Sequence, residues 1–167
     1  MKKVFVTVGT TKFEKLIEEL SKDELLDILY SLGYTLVQFQ VGSGAYKRNE
    51  EHSKIQVKYH PYFENFDEEI ASADLVISHA GAGTCLEVLK KQKPLIVVTN
   101  EDLMDNHQTE LAEELARQGY LKCCTPTSLK SVLQEDKFGD VKTYPKANPA
   151  SFSRYLDKCM GFETNLM

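Results

Sequence analysis

The residues best equipped for chemistry sit in one stretch, where positions 75–87 read Leu-Val-Ile-Ser-His-Ala-Gly-Ala-Gly-Thr-Cys-Leu-Glu. Ser78 and Thr84 offer hydroxyls, His79 an imidazole and Glu87 a carboxylate, all around Gly81, Ala82 and Gly83. An apolar run, Leu75 to Ile77, breaks into small residues and resumes with Leu86, Val88 and Leu89 at helical spacing, which predicts strand, tight turn and helix. Such a turn suits an anion. The first amides of a helix lack intrahelical partners and carry the positive end of the macrodipole, and glycines let a phosphate approach the backbone. The stretch therefore predicts a phosphate-bearing ligand over Ser78 to Thr84.

Each neighbouring group has a sharper and a plainer reading. His79, with an ordinary pKa near ~6.5, suits proton transfer, but it precedes the turn, where it is better placed to donate to a phosphate or cap the helix. Glu87 can reach back over the glycines and accept from ribose hydroxyls, or it is a solvent-facing helix acid. Cys85 beside the turn is read as a small buried hydrophobe rather than a nucleophile. A dinucleotide fingerprint is disfavoured: Glu101 and Asp102 fall where its ribose-binding acid belongs, but Leu86 replaces the third glycine and is expected to push the helix off its strand.

Composition narrows the classes. At 167 residues the chain reads as a single domain over 1–167, able to bury roughly two-thirds of its unfolded surface. Its net charge of −5 argues against a nucleic-acid binder. The cysteines Cys85, Cys123, Cys124 and Cys159 show neither C-x-x-C nor zinc spacing, which predicts reduced thiols and no metal. The apolar residues 4–8 stop at Gly9, too short for a signal peptide, and nothing approaches the ~20 apolar residues of a spanning helix. The expectation is a soluble, cytoplasmic chain.

The elements that must hold the turn alternate. Lys3–Val8 is a predicted strand, and Gly9-Thr10-Thr11 turns into a helix with Phe13, Leu16, Ile17 and Leu20 on its apolar face. This second glycine turn lacks the Lys-Ser/Thr of a P-loop, and its threonines are either caps or ligand contacts. A helix over Asp23–Leu32 ends at Gly33, a strand covers Tyr34–Val41, a loop Ala45–Ser53 and a strand Lys54–Tyr59. The aromatic run His60 to Phe63 then either covers the core edge or flanks a base. Beyond it the pattern predicts a helix over Phe66–Ser72, a strand at Leu95–Val98, a polar loop over Thr99–Asp105, a helix Asn106–Gly119, a last strand Tyr120–Cys124 and a helix Thr127–Gln134. Residues 136–148 read as loop, and Pro149–Met160 as a closing apolar helix.

Strands alternating with helices predict an α/β fold, Rossmann-like, with a mainly parallel sheet and helices on both faces. In such sheets ligands bind outside the carboxyl ends of the strands, so the turns at Gly9, Gly42, Pro61, Gly81, Asn100 and Pro126 can line one edge.

The run Ser78 to Thr84 with Glu87, then Pro94 and its strand, then Asn106-His107-Gln108, resembles the donor-sugar (C-terminal) half of GT-B glycosyltransferases related to bacterial MurG-type enzymes. With Val4 to Thr11, Phe13, Leu16 and Ala73 to Ile77, the chain resembles more narrowly the Alg13-like subunits of UDP-N-acetylglucosamine transferases over essentially its whole length. That resemblance implies a split, inverting enzyme. An Alg14-like membrane-anchored partner supplies the acceptor half, and the pair moves GlcNAc from UDP-GlcNAc to GlcNAc-diphosphodolichol at the cytosolic face of the endoplasmic reticulum, with no cofactor. It implies a donor site of Gly9, Thr10, Thr11, Ser78, His79, Gly81, Ala82, Gly83, Thr84, Glu87, Asn106, His107 and Gln108, with the diphosphate on Ala82 to Thr84, the ribose on Glu87 and the sugar near Asn106 to Gln108. No complete catalytic set is expected in this chain, because the base belongs to the acceptor half and His79 only positions phosphate. The chain departs from MurG-like relatives at Leu111, where they often carry an Asn. Related readings are a split exopolysaccharide transferase subunit using another UDP-sugar and a non-catalytic nucleotide-sugar-binding subunit.

Overall fold

The computed structural model describes residues 2–8, 13–42, 54–100 and 107–135. Six strands, β1 (Lys2–Thr7), β2 (Tyr34–Gln40), β3 (Gln56–His60), β4 (Leu75–His79), β5 (Leu95–Val98) and β6 (Lys122–Cys124), form one sheet. Its order is β3-β2-β1-β4-β5-β6, and every neighbouring pair is parallel. The chain winds outward from β1 in one direction and from β4 in the other. The sheet's topological switch point therefore lies between β1 and β4, where open α/β sheets leave a crevice at the carboxyl edge.

Alternation along the strands divides the core in two. Val4 and Val6 of β1 and Leu75 and Ile77 of β4 face one layer, built by α1 (Glu14–Leu20), α2 (Asp23–Ser31) and α6 (Leu129–Glu135). Phe5 and Val76 face the other, built by α3 (Phe66–Ser72), α4 (Ala82–Lys90) and α5 (His107–Arg117). A strand buried on both faces must be apolar at every position, which is why β5 reads Leu-Ile-Val-Val. Helices end where left-handed glycines stop them: Gly33 after α2 has φ +100° and Gly119 after α5 has φ +89°.

The edge opposite the crevice is pinned by polar contacts. The backbone N–H of Lys3 donates to Asp74 Oδ2 at 2.8 Å, and the Asp74 N–H donates to the Lys3 carbonyl at 2.8 Å, fixing β1 against the start of β4. Lys3 Nζ donates to Glu69 Oε2 at 2.6 Å and to Ser72 Oγ at 2.7 Å, and Gln38 Nε2 donates to the same Glu69 oxygen. This cluster ties α3 to β1 and β2.

Several sequence-based boundaries shift. Strand β3 begins at Gln56, two residues later than expected, and includes His60. Tyr120 and Leu121 precede β6, and the expected helix at Thr127 opens as a single 3-10 turn, Pro126–Ser128, before α6. Thr125 sets that turn: its N–H donates to Ser128 Oγ at 2.9 Å, closing a capping box. The aromatic run divides, since Phe63 meets Phe5 edge-on at 5.7 Å and covers the core while Tyr62 is exposed. Leu86 does not push α4 away, because the buried stripe of that helix is Cys85, Val88 and Leu89 and Leu86 lies half-buried outside it. The loop Ala45–Ser53, residues 136–148, the closing helix Pro149–Met160, Glu101 and Asp102 lie outside the described residues.

Candidate functional site

Strand β4 delivers its last residues, Ser78 and His79, to the switch point, and α4 starts three residues after the strand ends. The cap residue of α4 is Gly81, which has no side chain to offer the first amides, and no side-chain cap bond is made. The Gly81 carbonyl accepts from the Cys85 N–H at 3.0 Å, starting the helical ladder. The amides of Ala82, Gly83 and Thr84 precede that ladder and point along the axis, in the geometry that receives an anion.

The two glycines differ. Gly83 is exposed, and a Cβ built there meets nothing within 4 Å among the described residues. Glycine inside a helix costs about 0.5–1 kcal/mol relative to alanine, so this position gives up stability with no packing reason. Glu87 lies one helical turn further along, exposed, and among the described residues nothing pairs with its carboxylate.

Ser78 is fully buried, and its hydroxyl donates to the His79 carbonyl at 2.8 Å. It belongs to the floor of the crevice. Register and strand phase place Ser78 beside Thr7, Thr7 beside Gln40 and Gln40 beside His60, on one face at the carboxyl ends of four strands. Thr7 and Gln40 are also buried. Sequence reading singled out Ser78 of this row as a ligand contact and His60 as part of an aromatic run, and it missed Thr7 and Gln40. The available signal was a polar residue at or next to the end of each of these four strands, in the same phase.

His79 is half-buried, and burial lowers its pKa, with a hydrogen bond to the Thr7 backbone acting in the opposite direction. Its ring is therefore neutral at neutral pH. Cys85 is fully enclosed, and burial pushes its thiol up to about 12, with the nearby Cys123 adding to the rise. Burial likewise raises Cys124 to about 12 and Cys123 to about 11. A thiol so protonated is a poor nucleophile.

Of the remaining predicted site residues, Gly9, Thr10, Thr11 and Asn106 lie outside the described residues. His107 and Gln108 open α5, on the same side of the sheet as α4. Leu111 is fully buried in the second core layer, so its position serves packing. Among the described residues no group of three His, Cys, Asp or Glu side chains is arranged to hold a metal, and no helix is long and apolar enough to cross a membrane.

A parallel sheet of this order, with a helix at its switch point whose glycine cap offers the first amides no side chain, is the frame of a nucleotide-binding α/β lobe. The chain belongs to the glycosyltransferase family 28 C-terminal domain family, whose model matches residues 3–158. It is 41% identical over 171 aligned residues to the mouse (Mus musculus) UDP-N-acetylglucosamine transferase subunit ALG13, an alignment covering 97% of this chain and 14% of that protein. It thus spans about a seventh of the length of that relative. An NMR solution structure of ALG13 superposes with a TM-score of 0.66 at 28% identity, covering 93% of this chain and 94% of the other. The crystal structure of Acinetobacter baumannii MurG superposes at 0.63 with 20% identity, covering 95% of this chain and 49% of the other, and so shares the fold of one of its halves.

Proposed function

We propose that this chain is the donor-binding subunit of a two-protein, inverting N-acetylglucosaminyltransferase. The observation that carries the reading is Gly83: an exposed helix glycine with open space beside it among the described residues, just after a cap residue that offers the first amides no side chain, at the sheet's switch point. A diphosphate over Ala82 to Thr84 would account for a glycine that packing does not. Glu87 supports the same reading, because an exposed carboxylate one turn along the helix, with no partner among the described residues, is placed to accept from the ribose hydroxyls of a nucleotide whose phosphates sit at the amides.

The chemistry follows from that placement. The acceptor hydroxyl attacks C1 of the donor sugar from the face opposite the diphosphate, the C1–O bond breaks, and its electron pair leaves on the β-phosphate of UDP. Charge grows on that phosphate in the transition state, and preorganised amides stabilise it without a metal. The proton lost by the acceptor goes to a base contributed by the partner, since the His79 ring is packed against Gly81 and is bonded to the Thr7 backbone. Gly9, Thr10, Thr11, Asn106, His107 and Gln108 complete the donor cleft in this reading.

The proposed donor is UDP-GlcNAc and the acceptor GlcNAc-diphosphodolichol, held by an Alg14-like membrane-anchored subunit that keeps the pair at the cytosolic face of the endoplasmic reticulum. The relative's name, a subunit of a UDP-N-acetylglucosamine transferase, supports both the donor and the need for a second chain. The test is reconstitution with that membrane-anchored subunit. Transfer of GlcNAc to the lipid diphosphate is expected from the pair and not from this chain alone. Robust transfer without a partner, or none from the assembled pair, would contradict the reading.

A further inference from the structure

Gly81 is not a glycine for its backbone: φ −71° and ψ 125° are open to any residue. A Cβ there would lie 2.3 Å from His79 Nε2 and 2.8 Å from its Cε1, closer than real Cβ contacts come. The requirement is steric, and the imidazole imposes it. The ring is held in turn. It hydrogen-bonds to the Thr7 backbone at the end of β1, and its Nδ1 lies 3.4 Å from Ser78 Oγ. Swinging it away from Gly81 would break its link to β1.

We propose that His79 is a positioning residue whose ring sets the distance between the carboxyl end of β1 and the N-terminus of α4, with Gly81 as its obligate steric partner. The imidazole fills the space between the two walls of the switch-point crevice. The amides of Ala82 to Thr84 follow Gly81 directly, so whatever fixes Gly81 against β1 fixes them too. His79 thus acts on the bound diphosphate through the backbone. The functional half of this inference rests on the donor-site reading, whereas the steric coupling does not.

A double-mutant cycle tests it on the full chain: wild type, Gly81→Ala, His79→Ala and the double variant, compared by urea unfolding and by calorimetric titration with UDP. Gly81→Ala is expected to lower the unfolding midpoint and to weaken UDP binding by as much as ~100-fold, the scale of a misplacement near 1 Å at a preorganised site. His79→Ala weakens UDP binding on its own. Adding Gly81→Ala to it costs nothing further, because the clashing ring is gone. A Gly81→Ala protein matching wild type in both measurements, or carrying an undiminished penalty in the His79→Ala background, would overturn the proposal. If wild type itself fails to bind UDP, the donor reading falls and the unfolding cycle still decides the coupling. Should a variant not fold, a nuclear Overhauser contact between Gly81 Hα and His79 Hε1 in the wild type decides: its presence is expected, and its absence with both protons assigned would overturn the pairing.

Discussion

Thr7 and Ser78 stand opposite each other in the parallel ladder between β1 and β4, both fully buried and on the same face. From the strand that ends at Thr7 the sheet grows toward β2, and from the strand that ends at Ser78 toward β5. The pair marks the floor of the crevice at the switch point. On the β4 side the chain passes through Gly81 into α4, whose first amides receive no side chain from that cap residue.

Gly83→Ala separates the two roles of the turn. With open space at its Cβ among the described residues, the alanine protein is expected to be more stable by up to about 1 kcal/mol, the ordinary helix preference of Ala over Gly. Donor binding should weaken at the same time, because the new methyl group stands where the diphosphate approaches. Urea unfolding and UDP titration on one sample check both directions, and a loss of stability would mean that packing, not a ligand, demands glycine here.

Glu87→Ala should leave folding stability within about 0.5 kcal/mol of wild type, since the side chain is exposed and unpaired among the described residues. It should cost about 1.5–3 kcal/mol of UDP affinity, the range for hydrogen bonds to a charged group. Titration with UDP and with UDP lacking the ribose 2′-hydroxyl distinguishes the contact: the substitution should penalise the first ligand more than the second.

The class of fold is legible in the sequence because each strand and helix carries its own phase of apolar residues, and β5 even declares that both its faces are covered. Strand order is not legible in this way. It depends on pairings between segments far apart in the chain, such as the Lys3–Asp74 exchange that docks β4 beside β1. The same holds for the site. A glycine turn between a strand and a helix is a local backbone demand, so Gly81 and Gly83 stand out in the sequence. The polar row through Thr7, Gln40 and His60 exists only once four strands are in register, and the close approach of the His79 ring to Gly81 only once the turn is folded.

His79 gives stability a pH dependence of defined sign. Its folded pKa is lowered by burial, so the unfolded chain takes up the proton first. The contribution is fully present above the ordinary value near ~6.5, falls as pH drops through it, and levels off below the folded pKa, with a slope no steeper than about 1.4 kcal/mol per pH unit. Urea unfolding of wild type and His79→Asn between about pH 7.5 and about pH 5 checks this, with the shallower slope expected in the variant.

The buried thiols give the opposite, alkaline dependence. Cys85 and Cys124 are raised to about 12 and Cys123 to about 11, so the thiol form is favoured by folding. Their contribution is complete below the ordinary thiol value and is lost as pH rises through it toward the folded values. In a Cys159→Ser background, native protein near pH 8 should react with iodoacetamide far more slowly than the urea-unfolded chain, as mass spectrometry would show. Rapid native labelling of Cys85 would refute its enclosed state.

Lys3→Met probes the opposite edge. It removes the cation from Glu69 and the donor from Ser72, leaving Glu69 with Gln38. A half-buried carboxylate that loses its charged partner is expected to cost about 1–3 kcal/mol in urea unfolding. UDP affinity should stay at the wild-type value, because this cluster lies at the sheet edge remote from the crevice.

The most direct measurement of the central claim is a titration of the 15N-labelled chain with UDP-GlcNAc, following its backbone amide resonances. Saturable shifts largest at Ala82, Gly83 and Thr84, and reduced in Glu87→Ala, are the predicted result. Saturable shifts centred elsewhere, or none at those amides up to high ligand concentration, would contradict a donor diphosphate at the start of α4.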